Sequence, residues 1–155
     1  MDIRKAEAKD LESVKNITSR TIQAIYPHYY PPGAVNFFLS HHNERNIMDD
    51  IDCQRVYVLE SEGSIFGTVT IKGFEICRLF VAPLYQGKGY GRILLEFSEQ
   101  LIAGKFGKIQ LDSSLPAKEI YLKRDYKEIA SYHIATENGD YLCYDVMEKK
   151  VSRLS

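Results

Sequence analysis

The chain has 155 residues, a length that suits one domain with a sizeable core. Its 20 Lys and Arg nearly cancel its 21 Asp and Glu, leaving a formal charge of -1. No global field therefore draws it to nucleic acid or an anionic membrane, and neither is expected as a partner. Apolar residues make up 45% and charged residues 26%, the balance of a soluble globular protein. No apolar run approaches membrane-spanning length, and MDIRKAEAKDLESV lacks a signal-peptide core, so a cytoplasmic location is expected. Cys53, Cys77 and Cys143 are odd in number and widely spaced. Without a CxxC pair they read as reduced, mostly buried thiols, not a zinc or redox site.

In chain order, residues 3–6 are predicted to form a first strand, and Asp10 to cap the helix that follows. Leu11, Val14, Ile17, Thr18, Thr21, Ile22 and Ile25 recur at helical spacing and give that helix one apolar face. Tyr26-Pro27 ends it, and His28-Tyr29-Tyr30-Pro31-Pro32 makes a stiff aromatic connection to a second helix carrying Val35, Phe38, Leu39 and His42. From Arg55 the period becomes two. Strands are predicted over 56–59, over 65–71 with Ile65, Gly67, Val69 and Ile71 on one face, and over 74–81, with turns at 61–63 and 72–73. A glycine-rich loop at 86–91 opens a helix bearing Ile93, Leu94, Leu95, Phe97, Leu101 and Ile102. Residues 108–111 read as a strand and 116–123 as a short helix. Residues 126–136 and 141–148 read as a hairpin turned at Asn138-Gly139, where both residues tolerate positive backbone angles. There is no repeat, low-complexity tract or linker, so the expected organisation is a single mixed α/β domain over 1–155.

Val81-Ala82-Pro83-Leu84-Tyr85-Gln86-Gly87-Lys88-Gly89-Tyr90-Gly91-Arg92 carries the sharpest chemical signal. Its glycines clear side chains from the backbone and permit angles at which several amides converge on one anion. The helix start adds unpaired amides and a favourable dipole, so a pyrophosphate suits the site, with Lys88 and Arg92 as supplementary charge. Glycines at 87, 89 and 91 fit neither GxxxxGK[ST] nor GxGxxG, the signatures of the commoner nucleotide loops.

The stretch from Arg78-Leu79-Phe80-Val81 to Gln86-Gly87-Lys88-Gly89-Tyr90-Gly91-Arg92 resembles motif A of the GCN5-related N-acetyltransferases (GNAT), with a Gln86-x-x-Gly89-x-Gly91 core. Ser114-Leu115-Pro116-Ala117-Lys118-Glu119-Ile120-Tyr121-Leu122-Lys123-Arg124-Asp125-Tyr126 resembles the family's Asn-x-x-Ala-x-x-x-Tyr-x-x-x-Gly-Phe segment. The resemblance implies a central, mostly antiparallel twisted sheet of six to seven strands, with a splayed parallel pair and about four flanking helices. It also implies acetyl-CoA as cosubstrate. Backbone at Leu79, Phe80 and Val81 would hold the pantetheine arm and amides from Gln86 to Arg92 the pyrophosphate. Ser114 and Lys123 would add further cofactor contacts. Ser114 replaces the usual Asn, and Asp125 the usual Gly, where a left-handed backbone would cost about 1 kcal/mol and give local strain without changing the fold.

Acyl transfer to an amine needs a neutral nucleophile, stabilisation of the developing oxyanion and a proton for the thiolate. By resemblance Glu75 is the general base, acting directly or through a water, and Tyr121 the general acid. Cys77 is the rival nucleophile, but it lacks a histidine partner in sequence, and a pocket-wall or core thiol is the preferred reading. His28, His41, His42 and His133 show no metal-ligand spacing, so no metal is expected. Tyr26, His28, Tyr29 and Tyr30 are expected to shape the acceptor site. Glu44, Asp49, Asp50 and Asp52 form either an acidic rim for a cationic amine or a solvated helix face. Residues 111–117 also resemble the PaiA-like polyamine acetyltransferases, which gives a small-molecule amine, and polyamines among them, the lead. The rivals are a protein or peptide amine as acceptor, and a coenzyme A-binding sensor or interaction domain without turnover. Monomer and homodimer both remain open.

Overall fold

The computed structural model describes residues 1–152, so residues 153–155 of the expected domain lie outside the described part. Seven strands form one sheet: β1 (Asp2–Lys5), β2 (Val56–Ser61), β3 (Ser64–Lys72), β4 (Glu75–Val81), β5 (Lys108–Ser113), β6 (Lys127–Ala135) and β7 (Tyr141–Lys150). Their order is β1-β2-β3-β4-β5-β7-β6. Every neighbouring pair is antiparallel except β4 and β5, which run parallel. That parallel pair is joined only at Glu75–Gln110 and Ile76–Leu111. Beyond Ile76 and Leu111 the two strands part, while β4 continues to Val81 and β5 to Ser113.

The helices are α1 (Leu11–Ile25), α2 (Pro32–His41), α3 (Glu44–Asp52), α4 (Tyr90–Ala103) and α5 (Lys118–Lys123). Apolar spacing explains α1 and α4. Val14, Ile17 and Ile22 are buried along α1, and Leu94, Leu95 and Ile102 along α4. Helix α2 begins at Pro32, whose missing amide hydrogen costs nothing in a first turn. Asn43 caps α3, its side-chain oxygen accepting from the Asn46 amide at 2.8 Å. One core packs α4 against the sheet through Leu59, Val69, Ile76, Ile109, Leu111 and Met147. On the other face Ile17, Ile22, Tyr26, Tyr30, Ala34, Val35, Phe80 and Leu142 join α1 and α2 to β4 and β7. Gly33 marks a close approach: a Cβ there would fall inside the Asn138 side chain, and its amide donates to Asp140 Oδ2 at 2.9 Å. The β6–β7 turn thus seats directly on α2.

Several local expectations are corrected. Asp10 does not cap α1; its carboxylate accepts from the Glu7 amide and is held by the Arg4 guanidinium, which pulls its pKa down. β3 is buried on both faces, with Thr68 and Thr70 as enclosed as Val69. Its position in mid-sheet between helical layers overrides the simple alternation. At the β6–β7 turn only Gly139 has a positive φ, so Asn138-Gly139 is not a two-residue type I′ turn; Glu62 and Gly63, at φ 51 and 80, have the angles that turn requires. A helix not predicted from the sequence, α3, follows α2, and its Asp50 is buried and not solvated. Cys53 and Cys143 are exposed and Cys77 is half-buried, so the thiols are free but not mostly buried.

Candidate active site

Two cavities open where β4 and β5 part. The larger, about 530 Å³, runs from the glycine-rich loop along β4 and is walled by α1, α4 and α5. The smaller, about 260 Å³, lies toward α2 and β7. Tyr26, Leu79, Phe80, Ser114, Ala117 and Tyr121 line both, so the cavities meet at the gap in the sheet.

The larger cavity is built mainly of backbone. Among the described residues, the amides of Gly87 to Arg92 have no backbone or side-chain acceptor, and the first amide bonded in this stretch is that of Ile93, to the Gly89 carbonyl at 3.1 Å. Gly87 and Gly89 hold φ of 77° and 87°, angles that turn successive N–H groups toward one side. A Cβ at either would meet nothing within 4 Å, so their glycine identity answers to backbone angle and not to crowding. Helix α4 starts immediately after, so its dipole adds to the same anion-attracting point. Gln86 braces the loop, its Nε2 donating to the Val81 carbonyl at 3.0 Å, which also accepts from the Thr21 hydroxyl at 3.2 Å. The Ala82 amide donates to Phe66 of β3. By strand alternation the Phe80 amide then faces β3, and those of Leu79 and Val81 face the gap. Gln86, Gly87, Gly89, Tyr90, Gly91, Arg92, Ser114 and Lys123 line this cavity, whereas Lys88 lies 5.7 Å over the Tyr85 ring instead.

Tyr121 is set at the junction by the end of α5. Asp125 adopts φ 71°, the Tyr126 amide donates to the Tyr121 carbonyl at 3.1 Å, and the Asp125 amide to Leu122 at 3.3 Å. This is a Schellman cap, a motif that favours glycine at the left-handed position, and Asp125 fills it without altering the fold. Tyr121 and Tyr126 pack edge to face at 5.5 Å, and the Tyr126 hydroxyl donates to Glu99, which Arg124 and Lys149 also hold. Burial pushes the Tyr121 phenol up, so it keeps its proton at neutral pH.

The smaller cavity is made of side chains. Glu75 does not line it; the carboxylate on its wall is Asp112, at the first β5 position past the last parallel pair. Burial raises the Asp112 pKa, with His41 partly offsetting, and burial together with Asp112 raises that of Glu75. Cys77 lines the wall, its thiol pushed up to about 11 by burial and by Glu75, so it stays protonated and is a poor nucleophile. Arg78 Nε donates to His42 Nδ1 at 2.9 Å, and Arg78 Nη1 lies 2.7 Å from Asp50 Oδ2. Burial and Arg78 bring His42 down to about 3, so its ring is neutral and carries its proton on Nε2.

The family model described as an acetyltransferase (GNAT) domain matches residues 25–143. The chain belongs to the GNAT acetyltransferase family. Seven strands with one splayed parallel pair are the GNAT fold. No curated protein matches the sequence. Among solved structures, the fold is similar to a GCN5-related N-acetyltransferase from Rhodopseudomonas palustris, with TM-score 0.88 and 22% identity over 97% of this chain and 95% of that one. It is also similar to the PaiA N-acetyltransferase of Thermoplasma acidophilum in complex with coenzyme A, with TM-score 0.73 and 20% identity over 96% and 98%. N-acetylglutamate synthase from Neisseria gonorrhoeae, complexed with coenzyme A and N-acetyl-glutamate, gives TM-score 0.70 and 19% identity over 98% of this chain and 35% of that one.

Of the residues expected to shape the acceptor site in this GNAT chain, Tyr26 lines both cavities. Tyr30 is buried, and its hydroxyl accepts from the Leu115 amide at 2.7 Å, tying the α1–α2 connection to the segment after β5. His28 and Tyr29 are exposed and line neither cavity. Phe37 and Phe38, which follow the aromatic run, are part of the wall, as are His41, His42, Asp112 and Tyr144, which the sequence did not single out as acceptor-site residues. Asp112 gave no local signal, because its strand, Lys108–Ser113, alternates polar and apolar residues and Asp112 is one polar position among them. Among the described residues no cluster of His, Cys, Asp and Glu could hold a metal, and no helix is long and apolar enough to cross a membrane.

Proposed function

We propose that this enzyme transfers the acetyl group of acetyl-CoA to a primary amine of a small molecule by direct attack. The observation that carries the reading is the row of unpaired amides from Gly87 to Arg92, at a helix start, beside a cavity leading to the gap between β4 and β5. These donors fit a pyrophosphate, and Arg92 and Lys123 stand on the same wall for the remaining phosphate charge. Bound acetyl-CoA supplies an activated acyl group as a thioester. The Leu79 and Val81 amides, facing the gap, are suited to the pantetheine arm and to the charge developing on the acyl oxygen. Glu75, through water, or the nearer Asp112 takes a proton from the ammonium so that nitrogen can form the new C–N bond. As the C–S bond breaks, the Tyr121 hydroxyl donates to the departing sulfur, and the second proton, released by the acylated nitrogen, returns through water to the phenolate.

The Schellman cap supports catalysis over a binding-only role, because Asp125 leaves Tyr121 at the junction of the two cavities. Asp50, part of the acidic group that favoured polyamines, is ion-paired with Arg78 and buried, so it offers no charge to a substrate. Calorimetry with coenzyme A and acetyl-CoA, followed by thiol release across an amine panel, tests the reading. Micromolar binding and amine-dependent release are expected; a correctly folded protein that binds neither form of the coenzyme would refute it.

A further inference from the structure

The acceptor cavity distinguishes among amines. It contains one acidic side chain, Asp112, and one basic one, Arg78. The Arg78 charge is already committed to Asp50, which Lys72 and Arg55 also approach, at 3.3 and 3.7 Å. Behind His42, Asp50 and Glu75 are thus matched by Arg78, Lys72 and Arg55, so no free carboxylate remains there to receive a second positive charge. His42 offers no acceptor either, since Nδ1 is occupied by Arg78 and the remaining nitrogen is a donor. The rest of the wall is largely apolar or aromatic, with Phe37, Phe38, Ile134, Leu142 and Tyr144 facing Tyr26 and Phe80.

A polyamine placed with one ammonium at Asp112 would set its next cation against those rings or against Arg78. Enclosing a cation without a partner costs several kcal/mol. An apolar body gains instead, at about 25 cal/mol per Å² removed from water. Size agrees: a cavity of ~150 Å³ already holds benzene, and this one is about 260 Å³.

We propose that the acceptor is a monoamine with a compact aromatic body, its ammonium held by Asp112 and its ring packed between α2 and β7. The proposal rests on the acetyl-transfer reading and names the substrate class for the same site. Asp112 occupies the first β5 position beyond the joined strands and lines the smaller cavity, so an ammonium on its carboxylate sits on the acceptor side of the gap.

Thiol release from acetyl-CoA, measured with 2-phenylethylamine, putrescine and spermidine, tests this. The expected result is a kcat/KM for 2-phenylethylamine at least about 10-fold above either polyamine. Equal or better use of putrescine or spermidine overturns the proposal while leaving acetyl transfer standing. Asp112→Asn is expected to raise the KM for 2-phenylethylamine about 30-fold, the loss of one charge-assisted contact, with coenzyme A affinity unchanged and partial recovery in Asp112→Glu. An unchanged KM removes Asp112 from the site. If none of the three amines turns over, calorimetry of 2-phenylethylamine with protein saturated by coenzyme A decides the matter. Absence of saturable binding there overturns the proposal, whereas failure of coenzyme A itself to bind defeats the underlying reading and the proposal with it.

Discussion

The two cavities that meet at Tyr121 are made of different material. The larger, proposed for the cofactor, relies on main-chain N–H groups, whose positions follow from glycine angles and a helix start. The smaller, proposed for the acceptor, relies on side chains from α2, β4, β5 and β7, elements that come together only in the folded chain. One side therefore tolerates wide side-chain variation and is damaged by backbone changes. The other should respond to single side-chain replacements and to the ion pairs behind its wall.

The sharpest way to break this contrast is Arg78→Met. It leaves buried Asp50 without its closest cation and should cost about 3–5 kcal/mol of stability by chemical denaturation. Loss of amine affinity should exceed loss of coenzyme A affinity in whatever protein still folds. A pH titration tests the same wall. His42 is held at about 3 against about 6.5 when unfolded, so the unfolded chain binds the proton more tightly between those values. Stability should fall by roughly 3 kcal/mol as pH drops from about 6.5 to about 4. His42→Gln should flatten that limb, and an identical pH dependence in the variant would show the ring to be protonated more readily than its burial implies.

Tyr121→Phe addresses the boundary between the sides: turnover should drop about 100-fold with coenzyme A affinity nearly intact. Unchanged turnover would remove the hydroxyl from the mechanism. Gly89→Ala tests the backbone side alone, since φ 87° is costly for any residue with a Cβ. Coenzyme A affinity should weaken about 10-fold by calorimetry, with amine KM preserved. The smallest effect has the opposite sign. Asp125→Gly should raise stability by about 1 kcal/mol, because φ 71° suits glycine better.

What the sequence disclosed follows the same division. The Gly87, Gly89 and Gly91 spacing was readable because local backbone angles are encoded locally, and the order of strands and long helices was readable from period. The Tyr121 segment was readable by resemblance, and Asp125 met the expectation of a left-handed residue. The acceptor wall was not. Nothing near Asp112 in sequence indicates that β4 and β5 stop pairing one residue earlier, and nothing near His42 indicates that Arg78, 36 positions away, occupies its Nδ1. The aromatic run at 26–30 drew attention to His28 and Tyr29, yet a tight 3-10 turn over Tyr26–His28 directs Tyr26 and Tyr30 inward and leaves those two outside. Acidic residues near 50 looked solvated because no helix was predicted over 44–52, so the inward stripe of Ile47, Asp50 and Ile51 went unrecognised.

Gly33 gives this architecture a mechanical link across the chain. With no room for even a methyl group beneath the turn at Asn138, the helix that carries Phe37 and His41 rests on a hairpin more than 100 residues downstream. A bulkier residue at 33 would act as a wedge, prying the aromatic wall off β7 while the glycine-rich loop, on the opposite side of the gap, kept its shape. Ligand selectivity in this chain is thus exposed to changes at a position that touches no ligand.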